Sequence, residues 1–275
     1  MPVIAMTREM GSLGKDVAAG LSEELGIALV YHEIVDVLAD KMRVRKSHVI
    51  KLLDGHANIF ERLTADKTSM SIFTAAEVCA LAVNASGAVF RGWGTVHLLQ
   101  KVPHVVSVRV CAPFEVRKRR MMERLKTDDS AHVEEEIRAS DEAQTALVRR
   151  EFHSDWTDAL HYDLVLNTDS LTVQQCIDHI LKVVHSEQFA ETEASRQALA
   201  DLALQTAVQA ALRSKSATRR LDISVAVVQG HVTLEGIVAG RDDRTLAEAV
   251  AAEVPNVADV TNALRAVSEI RARFA

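Results

Sequence analysis

The sequence predicts an α/β fold: a parallel sheet with helices on both faces, followed by a small α+β unit of αββαβ order. Three observations carry this. Short apolar runs alternate with stretches of helical periodicity through roughly the first 185 residues. Val105-Val106-Ser107-Val108-Arg109-Val110 is rich in β-branched residues, as a central strand is. Beyond Gln188 the composition shifts to an Ala/Leu-rich helix and then to two β-branched arms around Gln229-Gly230, a hairpin signal.

The elements follow in order. Val3-Ile4-Ala5-Met6 reads as the first strand. Val17, Ala18, Leu21 and Leu25 recur at helical spacing, and Gly26 stops that helix. Leu29-Val30-Tyr31 is a second strand, and Glu33 to Met42 is helical with Ile34, Val37 and Leu38 on one face. Residues 44–68 are polar and helical in pieces. Ile72 to Val83 is an Ala-rich helix, Ala88-Val89-Phe90 a strand running into Arg91-Gly92-Trp93-Gly94, and His97 to Gln100 a short helix or turn. Phe114 to Lys126 is a basic helix, and residues 131–152 a charged one. Tyr162 to Thr168 is a strand, and Thr172 to His185 an amphipathic helix. In the last unit, Glu191 to Leu212 is a helix, Leu221–Val228 and His231–Val238 are hairpin arms, Leu246 to Val254 is a helix, and Val257 to Leu264 a final strand. The expected domains are therefore 1–188 and 195–275, each folding around its own core.

Composition excludes several function classes. The chain has 275 residues, 48% hydrophobic, with a net charge of −6, which argues against a general nucleic-acid binder. The first apolar run breaks at Thr7-Arg8-Glu9, and no run approaches a membrane span, so the expected location is cytoplasmic with no transmembrane segment. Cys79, Cys111 and Cys176 lie far apart with no C-x-x-C, as expected of reduced thiols. No His spacing such as H-E-x-x-H points to a resident metal site, and none is expected.

The chemistry begins at the N-terminus. Strand, glycine loop, helix is the layout that presents backbone N–H groups and a helix N-terminus to phosphate. Thr7-Arg8-Glu9-Met10-Gly11-Ser12-Leu13-Gly14-Lys15 supplies it with a cation at the loop end. The match to G-x-x-x-x-G-K-[ST] is incomplete: Glu9 stands at the first Gly, and Asp16 at the metal-binding Ser/Thr. An ordinary βα turn is the competing reading of these residues alone. Arg117, Arg119, Arg120 and Arg124 share one helical segment, and a solvated basic face competes with a functional role there.

Five ordered segments resemble the cytidylate kinase-like branch of the P-loop nucleoside monophosphate kinases. The first loop is similar to its S-R-E-Y-G-S-G-G-R/K. Tyr31-His32-Glu33 is similar to its Y-D segment, and Arg91-Gly92-Trp93-Gly94-Thr95-Val96 to its arginine loop after the third strand. Ala112-Pro113-Phe114-Glu115-Val116-Arg117-Lys118-Arg119-Arg120 resembles its A-P-x-E-x-R-x-x-R helix, and Tyr162-Asp163-Leu164-Val165-Leu166-Asn167-Thr168 its Y-D-L-V-L-N-T strand. The second unit resembles a BON domain through V-x-V-x-x-G-x-V-T-L-x-G-x-V, carried by Val225, Val227, Gly230, Val232-Thr233-Leu234, Gly236 and Val238, and through its V-x-x-V-x-N-x-L end at Val257 to Leu264.

The resemblance implies a P-loop NTPase sheet and ATP- and Mg²⁺-dependent phosphorylation of a nucleoside monophosphate. It implies Gly11, Ser12, Leu13, Gly14, Lys15 and Asp16 at the donor phosphates. Arg8, His32, Arg91 and Asp141 are implied at the substrate, and Lys15, Arg119 and Arg124 at the transferring group. It implies a protein partner, a phospholipid surface or a second copy for the BON domain, which itself offers no nucleophile–base pair. Departures from the pattern are Leu13 for a loop glycine, His32 for Asp, Phe90 for Gly, and Gln144 where a lid arginine often stands. They support an alternative, a catalytically weak nucleotide-sensing regulator attached through its BON domain.

Overall fold

The protein is described here as a computed structural model covering residues 2–31, 39, 42, 66–92 and 94–267. The expected helix from Glu33 to Met42 and nearly all of 44–68 lie outside the described residues, as do His32 and Trp93. The chain divides into two compact units. One is Met1–Asp66 with Asn84–Ser195; the other is Lys67–Val83 with Arg196–Ala275.

The first unit is a parallel five-stranded sheet flanked by helices, the P-loop kinase fold. Its elements are β1 (Val3–Arg8), α1 (Gly14–Leu25), β2 (Ala28–Val30), β3 (Ala88–Arg91), α3 (Thr95–Leu99), β4 (Val105–Cys111), α4 (Phe114–Leu125), α5 (Ser130–Phe152), β5 (Leu164–Asn167) and α6 (Val173–Val184); α2 (Lys67–Asn84) falls between β2 and β3 in the chain. Strand order is β2-β3-β1-β4-β5, every pair parallel. The central strand β1 is buried on both faces, which explains its continuous apolar run. Ile4 and Met6 pack with Val106, Val108 and Val110 of β4, Val17 and Leu21 of α1, and Ile177 and Ile180 of α6. After β2 and β3 fill one side of β1, the chain crosses to the other side at β4. The carboxyl end of β1 is therefore the switch point, where open parallel sheets leave a crevice.

The second unit contains α7 (Glu193–Ser214), β6 (Ile223–Val228), β7 (His231–Val238), α8 (Arg241–Ala252) and β8 (Asp259–Ala266). Its sheet runs β6-β7-β8, antiparallel in the hairpin and parallel between β7 and β8. Leu204, Val208 and Leu212 of α7 pack with Val225, Val232, Leu234, Ala247, Val250 and Leu264. Gln229, at φ 51°, and Gly230, at φ 81°, are both left-handed, as the tight hairpin requires. Helix α8 starts five residues before the expected Leu246, because the Asp243 carboxylate accepts from the Gly240 N–H at 3.3 Å and caps the first turn.

Helix α2 reads in sequence as part of the first βαβ succession, yet residues 67–83 belong to the second unit. Cys79 hydrogen-bonds Thr206 of α7, and Arg213 Nε donates to Ser69 Oγ at 2.6 Å. Helix α7 thus meets the sheet of its unit on one side and α2 on another, which accounts for its Ala/Leu-rich composition all round. All three cysteines are unpaired, and burial pushes the Cys79 thiol up to about 12.

Candidate functional site

The loop after β1 is built by contacts that its sequence neighbours do not supply. The Ser12 N–H donates to Glu9 O at 3.1 Å, and the Val17 N–H to Leu13 O at 3.1 Å, so the chain turns tightly from strand into α1. Leu13 sits at the helix N-cap with φ 60° and ψ 8°, a left-handed conformation that a glycine adopts at lower cost. Gly14 permits the closest approach. A Cβ there would fall 2.6 Å from Arg8 Cβ and 3.2 Å from Val110 Cβ.

The loop opens onto a cleft of about 820 Å³ lined by Arg8, Glu9, Gly11, Leu13, Gly14, Lys15, Asp16, Tyr31, Arg91, Arg120, Met121, Glu123 and Arg124. Five cationic side chains face three carboxylates there. Glu9 contributes little free negative charge. Its Oε1 accepts from Arg109 Nη2 at 2.7 Å, and its Oε2 accepts from the Ala112 N–H at 3.1 Å. Lys15 and Asp16 are exposed in the first turn of α1, where the Asp16 N–H already donates to Leu13 O at 2.9 Å.

The other walls come from strand ends. Arg91 closes β3, is 6% exposed, and places its guanidinium carbon 4.1 Å from the Tyr31 ring centroid. Arg120 donates to Thr168 Oγ1 at 3.0 Å and to Thr168 O at 2.8 Å, and Thr168 Oγ1 donates to Ser12 O at 2.8 Å. The end of β5, helix α4 and the loop are thereby joined through one threonine.

Of the residues expected at the site, Arg8, Gly11, Leu13, Gly14, Lys15, Asp16, Arg91 and Arg124 meet in this cleft. Ser12 lies fully buried beneath it. Arg119 does not line it. It is exposed and borders a separate groove with Glu115, Lys118 and Met122, because it lies about 100° around the helix from Arg120 and about 140° from Arg124, which line the cleft. Arg120 takes the position in the cleft instead. Asp141 does not line it either, since its carboxylate is held by Arg117. His32 lies outside the described residues. The expectation did not include Tyr31 as a wall. Phase along α4 is a usable signal for Arg120, because Arg120 and Arg124 lie four residues apart on one face.

The residues present fit a bound nucleotide phosphate. Ser12 Oγ is buried with no hydrogen-bond partner among the described residues, and the cations converge on the loop. Among the described residues no group of three or more His, Cys, Asp or Glu is placed to hold a metal ion. The single carboxylate of Asp16 beside the loop fits Mg²⁺ only in the mode where phosphates and water supply the other ligands. Burial, and then the Glu9 carboxylate, hold the Cys111 thiol above its usual range against the opposing pull of Arg109 and Arg117, which disfavours its thiolate.

The chain belongs to the cytidylate kinase-like family, whose pattern matches residues 3–170; a BON domain matches residues 200–268. An uncharacterized protein of Eubacterium ventriosum is similar in structure, with a TM-score of 0.52 and 22% identity over 68% of this chain and 100% of that one. The shikimate kinase of Acinetobacter baumannii, in complex with shikimate, gives 0.42 and 16% over 69% of this chain and 96% of its own. A deoxyadenosine kinase of M. mycoides with bound dATP gives 0.37 and 11% over 67% and 100%. No curated protein matches the chain. No described helix is long and apolar enough to cross a membrane.

Proposed function

We propose that the protein is an ATP-dependent phosphotransferase whose acceptor is a nucleoside monophosphate, cytidylate first among them. The observation that carries this reading is the convergence of Arg8, Lys15, Arg91, Arg120 and Arg124 on the glycine loop at the switch point of the sheet. Phosphoryl transfer asks mainly for positioned phosphates and for positive charge where the transferring oxygens become more negative. The loop amides of Gly11, Leu13, Gly14 and Lys15 hold the donor phosphates, and Lys15 adds a point charge at the loop end. Arg91, fixed on Tyr31, holds the acceptor phosphate across the cleft. An acceptor phosphate oxygen attacks the γ-phosphorus in line; that P–O bond forms as the bond to the β,γ-bridging oxygen breaks, and the electron pair leaves on the nucleoside diphosphate. Arg120 and Arg124 sit where they can neutralise the transferring group. Mg²⁺, held by Asp16 together with the phosphates, would supply charge neutralisation of the donor.

Asp16 and Glu123 put carboxylates in the same cleft, and these favour a second reading, a slow enzyme or nucleotide sensor. In either reading we place the catalytic machinery in residues 1–188 and assign 195–275, the BON domain, to attachment to a protein partner, a phospholipid surface or a second copy, with the whole in the cytoplasm. A coupled phosphotransfer assay of the full chain with ATP, Mg²⁺ and each of CMP, UMP, AMP and GMP tests the proposal. Turnover with one of them, CMP above the rest, is expected. ATP binding with no turnover on any would leave the sensor reading in its place.

A further inference from the structure

Arg117 is a buried cation that does not reach the cleft. Its side chain is 7% exposed, and its guanidinium forks onto Asp141, Nη1 to Oδ1 at 3.1 Å and Nη2 to Oδ2 at 2.9 Å. Nη1 also lies 3.4 Å from the carbonyl oxygen of Met10, and Nε lies 3.4 Å from Glu9 Oε2. Asp141 belongs to α5, Arg117 to α4, and Glu9 and Met10 to the phosphate loop. The loop even packs on the Arg117 backbone. Gly11 has φ +82°, and a Cβ there would come within 2.7 Å of Arg117 O.

Arg109 completes a charge-balanced group of two guanidinium groups and two carboxylates, Arg109 and Arg117 with Glu9 and Asp141. In this group Glu9 is not a repellent charge beside the phosphates. Its carboxylate ties the first half of the loop to α4 and β4. Removing one member leaves a buried charge unbalanced and releases the loop segment that it holds.

We propose that Arg117 is a positioning residue of the phosphate loop, acting through Glu9 and the Met10 carbonyl, and that Asp141 acts through Arg117 without touching the nucleotide. Helix α5 and the loop are coupled through this one guanidinium. The inference deepens the phosphotransferase reading, and its first test does not depend on that reading.

The test uses the full chain. Hydrogen–deuterium exchange of the loop amides, residues 8–17, is followed without ligand in the wild type, Asp141→Asn, Asp141→Glu and Arg117→Lys. Faster loop exchange in Asp141→Asn and Arg117→Lys, by about tenfold, with recovery in Asp141→Glu is expected. If Arg117→Lys does not fold, the Asp141 pair decides, because it leaves the Arg117 side chain in place and changes only the carboxylate that orients it toward Glu9 and Met10. Unchanged loop exchange in Asp141→Asn overturns the proposal. In the second arm, calorimetry compares ATP with inorganic tripolyphosphate, which has no base. Asp141→Asn should weaken both by the same factor, about fivefold, and Asp141→Glu should restore both. Loss of ATP affinity alone would make Asp141 a nucleobase contact and would also overturn the proposal. A wild type that binds neither ligand would sink the phosphate reading, while loop exchange would still decide the positioning role.

Discussion

The guanidinium carbon of Arg91 lies over the Tyr31 ring, 4.1 Å from its centroid. The two meet because β2 and β3 are neighbours in register, Val30 opposite Phe90, so the next residues leave the sheet side by side. The ring holds a cation at the wall of the cleft. Tyr31→Ala should raise the KM for the acceptor by roughly two- to fivefold, in line with a partly exposed cation–π contact. Arg91→Lys should cost more, because a planar fork is lost as well as the stacking. Initial-rate kinetics with the acceptor varied at saturating ATP check both. Unchanged KM values in the two variants would move the acceptor elsewhere.

Gly14 and Leu13 should respond in opposite ways. Gly14→Ala drives a Cβ into Arg8 and Val110, so a loss of about 1–3 kcal/mol in stability and of most nucleotide binding is expected. Leu13→Gly relieves a left-handed side chain at a cost in chain entropy of similar size, about 1 kcal/mol each, and should leave stability close to wild type. Thermal melts and ATP titrations of the two variants report the contrast.

His97, on α3 just after the Arg91 loop, is stacked on Phe152 with its centroid 5.4 Å away and lies 4.9 Å from the His161 ring. Burial, and then the neighbouring His161, lower its pKa to about 4. Between pH 6.5 and 4 the unfolded chain takes up this proton and the folded chain does not, so stability falls as pH drops through that window and levels off below it. At pH 5 the loss from this group is on the order of 1–2 kcal/mol. His97→Gln should flatten the fall in Tm between pH 7 and pH 5. An equally steep fall in the variant would place the acid sensitivity in other groups.

Cys79 reports on the second unit. It is fully buried on α2 and hydrogen-bonded to Thr206 of α7. Ellman's reagent should leave it unreacted in the native full chain. In a chain ending at Gln188 that partner is gone, and Cys79 should react within minutes. Protection of Cys79 in a folded 1–188 chain would mean that α7 is not what covers it.

The parallel sheet, the loop and the hairpin were legible because each is written in local pattern: β-branched runs, paired glycines, and turn residues between two strands. The resemblance implies Arg119, and the sequence shows that Arg119 and Arg120 point to different faces, but which face meets the cleft is set by how α4 packs, and Arg120 is the one that lines it. The Glu9–Arg117–Asp141 group was not legible. Its members are brought together by the β1–β4 pairing and by the packing of α4 on α5, and a single sequence does not state those contacts. The allegiance of α2 to the second unit was hidden for the same reason. Its Ala-rich face suits a sheet and a neighbouring helix equally well.

The loop from Gly11 to Lys15 should hold nucleotide phosphates, and calorimetric titration of ATP into the full chain and into Lys15→Ala measures whether it does. ATP should bind the wild type with one site, and the variant should bind more weakly by about 1–3 kcal/mol, the worth of a charged hydrogen bond to phosphate. ATP affinity identical in the two proteins would contradict the assignment of Lys15 to the phosphates, and no heat of binding in the wild type would contradict the site itself.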